Sequence, residues 1–193
     1  MHITIILCHP FERSYCHAIA QALVAGFGDT GADVSSHDLY AETPDPVLTG
    51  AEIARRYSLD EQIQGYTDEI VRTDLLAVVH PDWWSGPPAL LKGWLERVLR
   101  PGIAYDWEGE EFEEKHHVPL LTNARLAVFV TTDREPDRPP EPIEGFWRDV
   151  ADYSGMELAR YTVLSDLRNS GQRQRRRWLG EAREWAKEVS ADG

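Results

Sequence analysis

Three short runs of apolar residues punctuate the chain: Ile3–Leu7, Leu75–Val79 and Leu126–Val130. They are continuous rather than alternating, the pattern of parallel strands buried on both faces. Weaker runs at Ala32–Ser36 and Leu158–Leu164 bring the predicted strands to five. Between them the apolar spacing changes to the helical period. Ser14–Phe27 carries Ala18, Ile19, Ala22 and Leu23, and Ser58–Arg72 carries Leu59, Ile63, Tyr66, Ile70 and Val71. Pro88–Leu99 carries Leu91, Trp94, Leu95, Val98 and Leu99, with proline in its first turn. Ile143–Tyr153 and Gly171–Val189 complete five predicted helices. Strands alternating with helices imply right-handed crossovers and an α/β fold, a doubly wound five-stranded parallel sheet with helices on both faces. Three insertions read as irregular: Tyr40–Gly50, the acidic and aromatic Ile103–Thr122, and Thr132–Pro142 with its four prolines. With no repeat and no linker pattern, residues 1–193 are expected to form a single domain.

In such a sheet, ligands bind outside the carboxyl ends of the strands at the switch point, between the first and third strands. The loops that matter therefore follow Leu7, Val79 and Val130. They are the loops with unusual chemistry: Cys8-His9-Pro10-Phe11-Glu12-Arg13-Ser14-Tyr15-Cys16, then His80–Pro87, then Thr131-Thr132-Asp133-Arg134. Ser14 reads as a helix N-cap, and a capped helix start after a loop is an anion site. Taken alone, Ser14 as a simple cap and His9 as a surface residue is the commoner reading. The adjacent Trp83 and Trp84 suit a site that packs and dries a flat ring, and neighbouring residues do not both point into one core. Gly93 inside a helix costs up to ~1 kcal/mol against alanine, which suggests close backbone packing, with a second subunit as one partner.

Charge and cysteine content narrow the classes. A formal net charge of -13 disfavours nucleic acid and an anionic membrane surface as partners. No apolar run approaches a membrane span, and Met1–Thr4 leads straight into a strand-like run without a secretory pattern. Two cysteines, Cys8 and Cys16, make a disulfide framework improbable, so a reducing cytoplasm is expected. His116-His117 lacks the ligand spacing of a metal site and reads as exposed loop; no metal is expected. Arg173–Arg177 reads as a solvated helix face balanced by Glu181 and Glu184.

The stretch Pro81-Asp82-Trp83-Trp84-Ser85-Gly86-Pro87-Pro88-Ala89-Leu90-Leu91-Lys92-Gly93-Trp94-Leu95-Glu96-Arg97-Val98 resembles the signature of the flavodoxin-like NAD(P)H:quinone oxidoreductases. His9-Pro10-Phe11-Glu12-Arg13-Ser14-Tyr15-Cys16 resembles the phosphate loop of that family, with Cys16 where asparagine is usual. Gly102-Ile103-Ala104-Tyr105 resembles its Gly-x-Ala-Tyr segment. The resemblance implies a flavodoxin-like fold and a flavin site. His9, Ser14, Tyr15 and Cys16 would stand at the phosphate. Pro81, Asp82, Trp83, Trp84 and Ser85 would surround the ring, and Thr131, Thr132 and Asp133 its pyrimidine end. It further implies NAD(P)H as cosubstrate, a quinone-like acceptor lined by Tyr105 and Trp107, and a homodimer that completes the site. FMN is expected, with FAD as the alternative, because the chain lacks the C-terminal extension of the larger FAD-using relatives. The third loop departs from the family's Thr-Thr-Gly-Gly: Asp133 would disfavour an anionic reduced flavin and Arg134 would favour it. That departure leaves open a regulatory or ancillary subunit with little turnover. A one-electron carrier fits the acidity but not the Leu-Lys-Gly-Trp helix. A phosphoacceptor domain needs acidic residues where Cys8-His9 stand.

Overall fold

The computed structural model describes residues 1–109, 115–137 and 141–191. In chain order these form β1 (His2–Leu7), α1 (Tyr15–Gly28), β2 (Asp33–Asp38), α2 (Leu39–Glu42) and α3 (Gly50–Arg55). Then follow α4 (Glu61–Arg72), β3 (Leu75–Pro81), α5 (Ala89–Val98), β4 (Tyr105–Glu108) and β5 (His116–Pro119). The chain continues as β6 (Arg125–Thr131), α6 (Glu141–Ser154), β7 (Glu157–Leu164) and α7 (Gln172–Ala191). The five apolar runs make one parallel sheet in the order β2-β1-β3-β6-β7. The order reverses between β1 and β3, so the expected switch point is present. No described helix is long and apolar enough to cross a membrane.

Alternation along each strand sorts its side chains between two helical layers. Ile3, Ile5, Leu7, Leu75, Ala77, Val79, Ala127 and Phe129 pack with α1 and α7. Ile6, Cys8, Leu76, Val78, Leu126, Val128 and Val130 pack with α4, α5 and α6. Each fully buried aliphatic or aromatic side chain contributes roughly 1.5–3 kcal/mol, so both layers are needed to hold the sheet. Layer contact is tight at Gly26, where an added Cβ would lie 2.4 Å from the Arg183 carbonyl of α7.

Several boundaries differ from the sequence reading. The helix expected from Ser58 begins at Glu61, because the Asp60 carboxylate caps the amides of Gln62 and Ile63 while Ser58 bonds Glu52. Seven helices stand among the described residues where five were expected: α2 and α3 are single short turns, each started by its own capping side chain, Asp38 or Thr49. The insertion Ile103–Thr122 is not irregular throughout, since β4 and β5 pair as an antiparallel hairpin. Residues 110–114 of it, and Pro139 and Pro140 of the proline segment, lie outside the described residues. Pro142, expected in a loop, sits in the first turn of α6, where its missing N–H costs nothing.

Gly93 does mark a close approach, but to this chain's own Pro46. A Cβ at Gly93 would lie 2.3 Å from the Pro46 carbonyl oxygen and 2.5 Å from its Cβ. The expectation of a second subunit there is therefore not the reason for that glycine. One turn on, buried Arg97 fastens the same insertion. Its guanidinium donates to Glu52 at 2.6 Å, to Asp60 at 3.2 Å and to the Asp45 carbonyl at 2.7 Å. Burial works to raise Glu52, but hydrogen bonds from Ser58, Arg97 and Thr49 outweigh it and hold the carboxyl at about 2.

Removing one member of such a pair strands the other charge. Arg97→Met is expected to lower unfolding stability by ~3–5 kcal/mol, read by urea titration. Because Glu52 titrates lower in the fold than unfolded, its contribution is complete above the ordinary carboxylate range and fades as pH falls toward about 2. A Glu52→Gln chain should show a shallower acid decline, and an equally steep one would place the acid sensitivity elsewhere.

Candidate functional site

The three loops predicted to carry chemistry meet at the carboxyl edge of β1, β3 and β6. In the first, Ser14 is the N-cap of α1 and accepts from the His17 amide at 3.4 Å. The next amides, of Tyr15 and Cys16, belong to the first turn, where a helix offers unpaired donors and a positive dipole end. The Phe11 amide donates to His9 Nδ1 at 3.0 Å, so the neutral imidazole carries its proton on Nε2. Burial, then the nearby His17, draw His9 below its usual value. His17 bonds the Ser14 hydroxyl through Nδ1 at 2.9 Å and Asp38 Oδ2 through Nε2 at 2.9 Å.

Two predicted residues of this loop face elsewhere. The Tyr15 hydroxyl donates to the Arg175 carbonyl of α7 at 2.5 Å, and its ring meets Trp178 edge-on. Only its amide remains at the helix start. The buried Cys16 thiol lies 3.2 Å from Thr131 Oγ1, joining α1 to the end of β6 instead of opening into the loop. Burial pushes both Cys16 and Cys8 up to about 12, so neither is a nucleophile.

The second loop leaves β3 at buried Pro81 and turns at Trp83–Gly86. Trp83 and Gly86 exchange both backbone hydrogen bonds, at 3.0 and 3.2 Å. Trp84 and Ser85 occupy the two central positions with φ of 58° and 61°. A turn with two left-handed residues favours asparagine and glycine, and each bulkier residue there costs roughly 1–3 kcal/mol. Asp82 holds the turn in place, accepting from the Ser85 amide at 2.9 Å. Trp83 is partly exposed with its ring 6.0 Å from that of His9, and Trp84 is fully exposed. His80, at the root of the loop, is buried and neutral. Its Nδ1–H donates to the Pro81 carbonyl and its Nε2 accepts from Trp147, both at 2.9 Å. Burial lowers His80 to about 4.

The third loop is tied to the second through Asp82. Its amide donates to the Thr131 carbonyl at 2.7 Å, while its Oδ2 accepts from Thr132 Oγ1 at 3.1 Å and Arg134 Nε at 2.8 Å. Arg134 also reaches Ser85 Oγ. Asp133, expected at the pyrimidine end of a flavin, turns the other way: Arg168 donates to its carboxylate from the main-chain amide at 3.0 Å and from the guanidinium at 3.0 Å. The two residues that replace family glycines thus act separately, Arg134 bridging the loops and Asp133 facing β7 and α7.

Tyr105 and Trp107 lie on β4, outside the sheet. His117 is not exposed loop: on β5, it stacks on Tyr153 at 4.0 Å between ring centroids and lies near Tyr105 and Trp107. Tyr105 lines a cavity of about 400 Å³ with Leu95, Leu99, Phe146, Val150 and Tyr153. A second depression, about 340 Å³, lies against Asp82, Trp84, Thr132, Asp133 and Arg134. The sequence reading missed His17, Asp38 and His80. A histidine at the third helical position after an N-cap is the one local sign that pointed to His17. Among the described residues no group of side chains could hold a metal ion.

Comparison with known proteins settles the family. A family model described as flavodoxin-like fold matches residues 1–189, and the chain belongs to that family. A Haemophilus influenzae protein named an uncharacterized NAD(P)H oxidoreductase is 33% identical over 180 residues, covering 86% of this chain and 85% of its own. An FMN-dependent NADH:quinone oxidoreductase of Beijerinckia indica is 32% identical over 108 residues, covering 55% of this chain and 52% of its own. The structure of an NAD(P)H:quinone oxidoreductase from Methanothermobacter marburgensis superposes with a TM-score of 0.79 at 24% identity, covering 98% of this chain and 97% of the other. That likeness confirms the doubly wound fold.

The root of the second loop gives a test. Trp147→Phe removes the donor to buried His80 and is expected to cost about 1–3 kcal/mol in denaturant titration. His80 titrates lower in the fold than unfolded, so its contribution is present above its ordinary value near 6.5 and is lost as pH falls toward about 4. An unchanged unfolding midpoint in Trp147→Phe would show that the pair does not anchor the loop.

Proposed function

We propose that this chain is a flavin-dependent NAD(P)H oxidoreductase that binds FMN across the three loops and passes two electrons from NAD(P)H to a quinone or similar flat acceptor. One observation carries the reading: a helix start with its hydroxyl cap and two imidazoles faces, across one sheet edge, a strained tryptophan turn tied to Thr131 and Thr132. The donor set suits a flavin mononucleotide. His9 Nε2–H and the first amides of α1 suit a phosphate, with Ser14 Oγ beside them. The names carried by relatives support the activity, and the FMN-dependent one supports FMN over FAD.

When bound, the flavin supplies hydride acceptance and donation. The protein's part is binding, orientation and exclusion of water. Pro81 and Asp82 fix the level of the turn, whose backbone at Trp83, Trp84 and Ser85 would hold the polar edge of the ring. Thr131 and Thr132 would border its pyrimidine end, and the two indoles would cover it. Tyr105, in the cavity, and Trp107, on the same strand, would receive the acceptor. Burial, then Tyr153 and Asp106, raise the Tyr105 hydroxyl above its usual value, which keeps it a proton donor. A homodimer in the cytoplasm belongs to the same reading: the half-buried apolar residues Leu99, Phe146 and Val150 and the exposed Trp107 support a second copy at α5, α6 and the hairpin.

Titrating the flavin-free protein with FMN should quench flavin fluorescence with a micromolar or tighter midpoint. NADH or NADPH should then bleach the bound flavin, and a quinone should restore its colour. Absence of binding by both FMN and FAD at millimolar concentration would remove the reading. Light scattering that reports a monomer at micromolar concentration would remove the shared pocket. Arg134→Gly, which unties the two loops, is expected to strengthen FMN binding by about tenfold, or ~1.4 kcal/mol, while Asp133→Gly changes it by less than about twofold. Equal effects would show that the separation of the two side chains has no bearing on the cofactor.

A further inference from the structure

His17 and Asp38 lie outside the residues that the family resemblance assigns, yet they control the hydroxyl at the head of α1. The hydrogen-bond chain runs Asp38 Oδ2, His17 Nε2, His17 Nδ1, Ser14 Oγ, with both links at 2.9 Å. Asp38 is fixed independently, because its Oδ1 accepts from the amides of Tyr40 and Ala41 at the start of α2. A carboxylate only accepts, so His17 Nε2 carries a proton. In the neutral ring Nδ1 must then accept, and the one Ser14 proton is spent on it. Ser14 Oγ also accepts from the His17 amide, which leaves only a lone pair for an incoming group. That lone pair repels a phosphate oxygen.

We infer that His17 is the positioning residue of the phosphate site: it takes up one proton on Nδ1 as a phosphate binds, and so turns the Ser14 hydroxyl toward the anion. The balance is simple. One solvent proton is added to His17, Nδ1–H then donates to Ser14 Oγ, and the Ser14 O–H donates to the phosphate. Apart from the new Nδ1–H bond, made with the proton that solvent gives up, only hydrogen bonds change. The imidazolium lies between Asp38 and the phosphate and is compensated on both sides. Among the described residues, the titratable groups that face His17 are Asp38 at the end of β2 and His9 in the β1–α1 loop, whose ring centroid is 6.4 Å away. His9 has no such coupling to Ser14, since its Nδ1 is held by the Phe11 amide and its Nε2–H is already a donor. The ligand class is a phosphate monoester dianion, and the inference rests on the flavin reading only for which monoester it is.

The test is calorimetric titration of the flavin-free full chain in two buffers of different ionisation heat. It is run near pH 8, where a phosphate monoester with a second pKa of about 6 is already a dianion. FMN should bind with uptake of about one proton, riboflavin with none, and FMN affinity should fall by up to about tenfold per pH unit above neutrality while riboflavin affinity stays flat. His17→Gln should abolish the uptake and flatten the FMN profile. Asp38→Asn, which keeps an acceptor toward α2, should lower the uptake in a chain whose thermal unfolding midpoint reports that it is folded. Absence of uptake in the parent chain, or full uptake in folded His17→Gln, overturns the inference. Inorganic phosphate separates the two readings. Binding of phosphate with proton uptake but no binding of FMN sustains the His17 assignment and removes the flavin reading. Binding of FMN without uptake does the reverse, and failure of both ligands removes both.

Discussion

Every residue of β3 is buried, and this constraint organises the molecule. A strand paired on both edges and covered on both faces has no position from which to present a polar side chain to a ligand. Its backbone groups are spent on β1 and β6, and its side chains are shared between two helical layers. Chemistry is therefore possible only where the strand ends. Asp82, the first residue beyond it, collects that possibility. Its carboxylate meets Ser85 from its own turn and Thr132 and Arg134 from the next loop. A single side chain thus sets the relative height of two loops whose strands are already in fixed register.

The same constraint explains what the sequence made legible. Continuous apolar runs are the direct signature of strands covered on both faces, so β1, β3 and β6 stand out and the sheet order follows from crossover rules. The positions of the three loops follow in turn, as does the cap at Ser14. Less legible was anything set by a distant partner. The β4–β5 hairpin is short and held by rings from β4, β5 and α6, so neither strand has a pattern of its own. Tyr15 and Asp133 sit in the right loops, but Arg175 and Arg168, each more than 30 positions away, decide where their polar atoms point. Gly93 announced a close contact without saying with what, because a missing Cβ records proximity and not identity.

The site joins rigid and costly parts. Trp84 and Ser85 hold a backbone conformation that neither side chain favours, and five hydrogen bonds from Asp82, Arg134, Trp83 and Gly86 maintain it. Left-handed residues of this size persist where the surroundings fix them and something is gained by the shape. Here the shape lifts two indoles away from the core, with Trp83 beside His9 of the first loop and Trp84 over the third. The strain, the exposure and the loop ties belong to one arrangement, and none of them is explained by packing alone.

The two thiols carry a consequence for the chemical hardiness of the protein. With Cys8 and Cys16 held at about 12 by burial, only about one thiol in 10⁵ is ionised at pH 7. Electrophiles that alkylate thiolates, quinones prominent among them, meet two buried thiols held in the protonated form, although Cys16 touches the end of β6 beside the third loop. Under the proposed activity such compounds would pass over a surface from which the sheet withdraws both sulfurs.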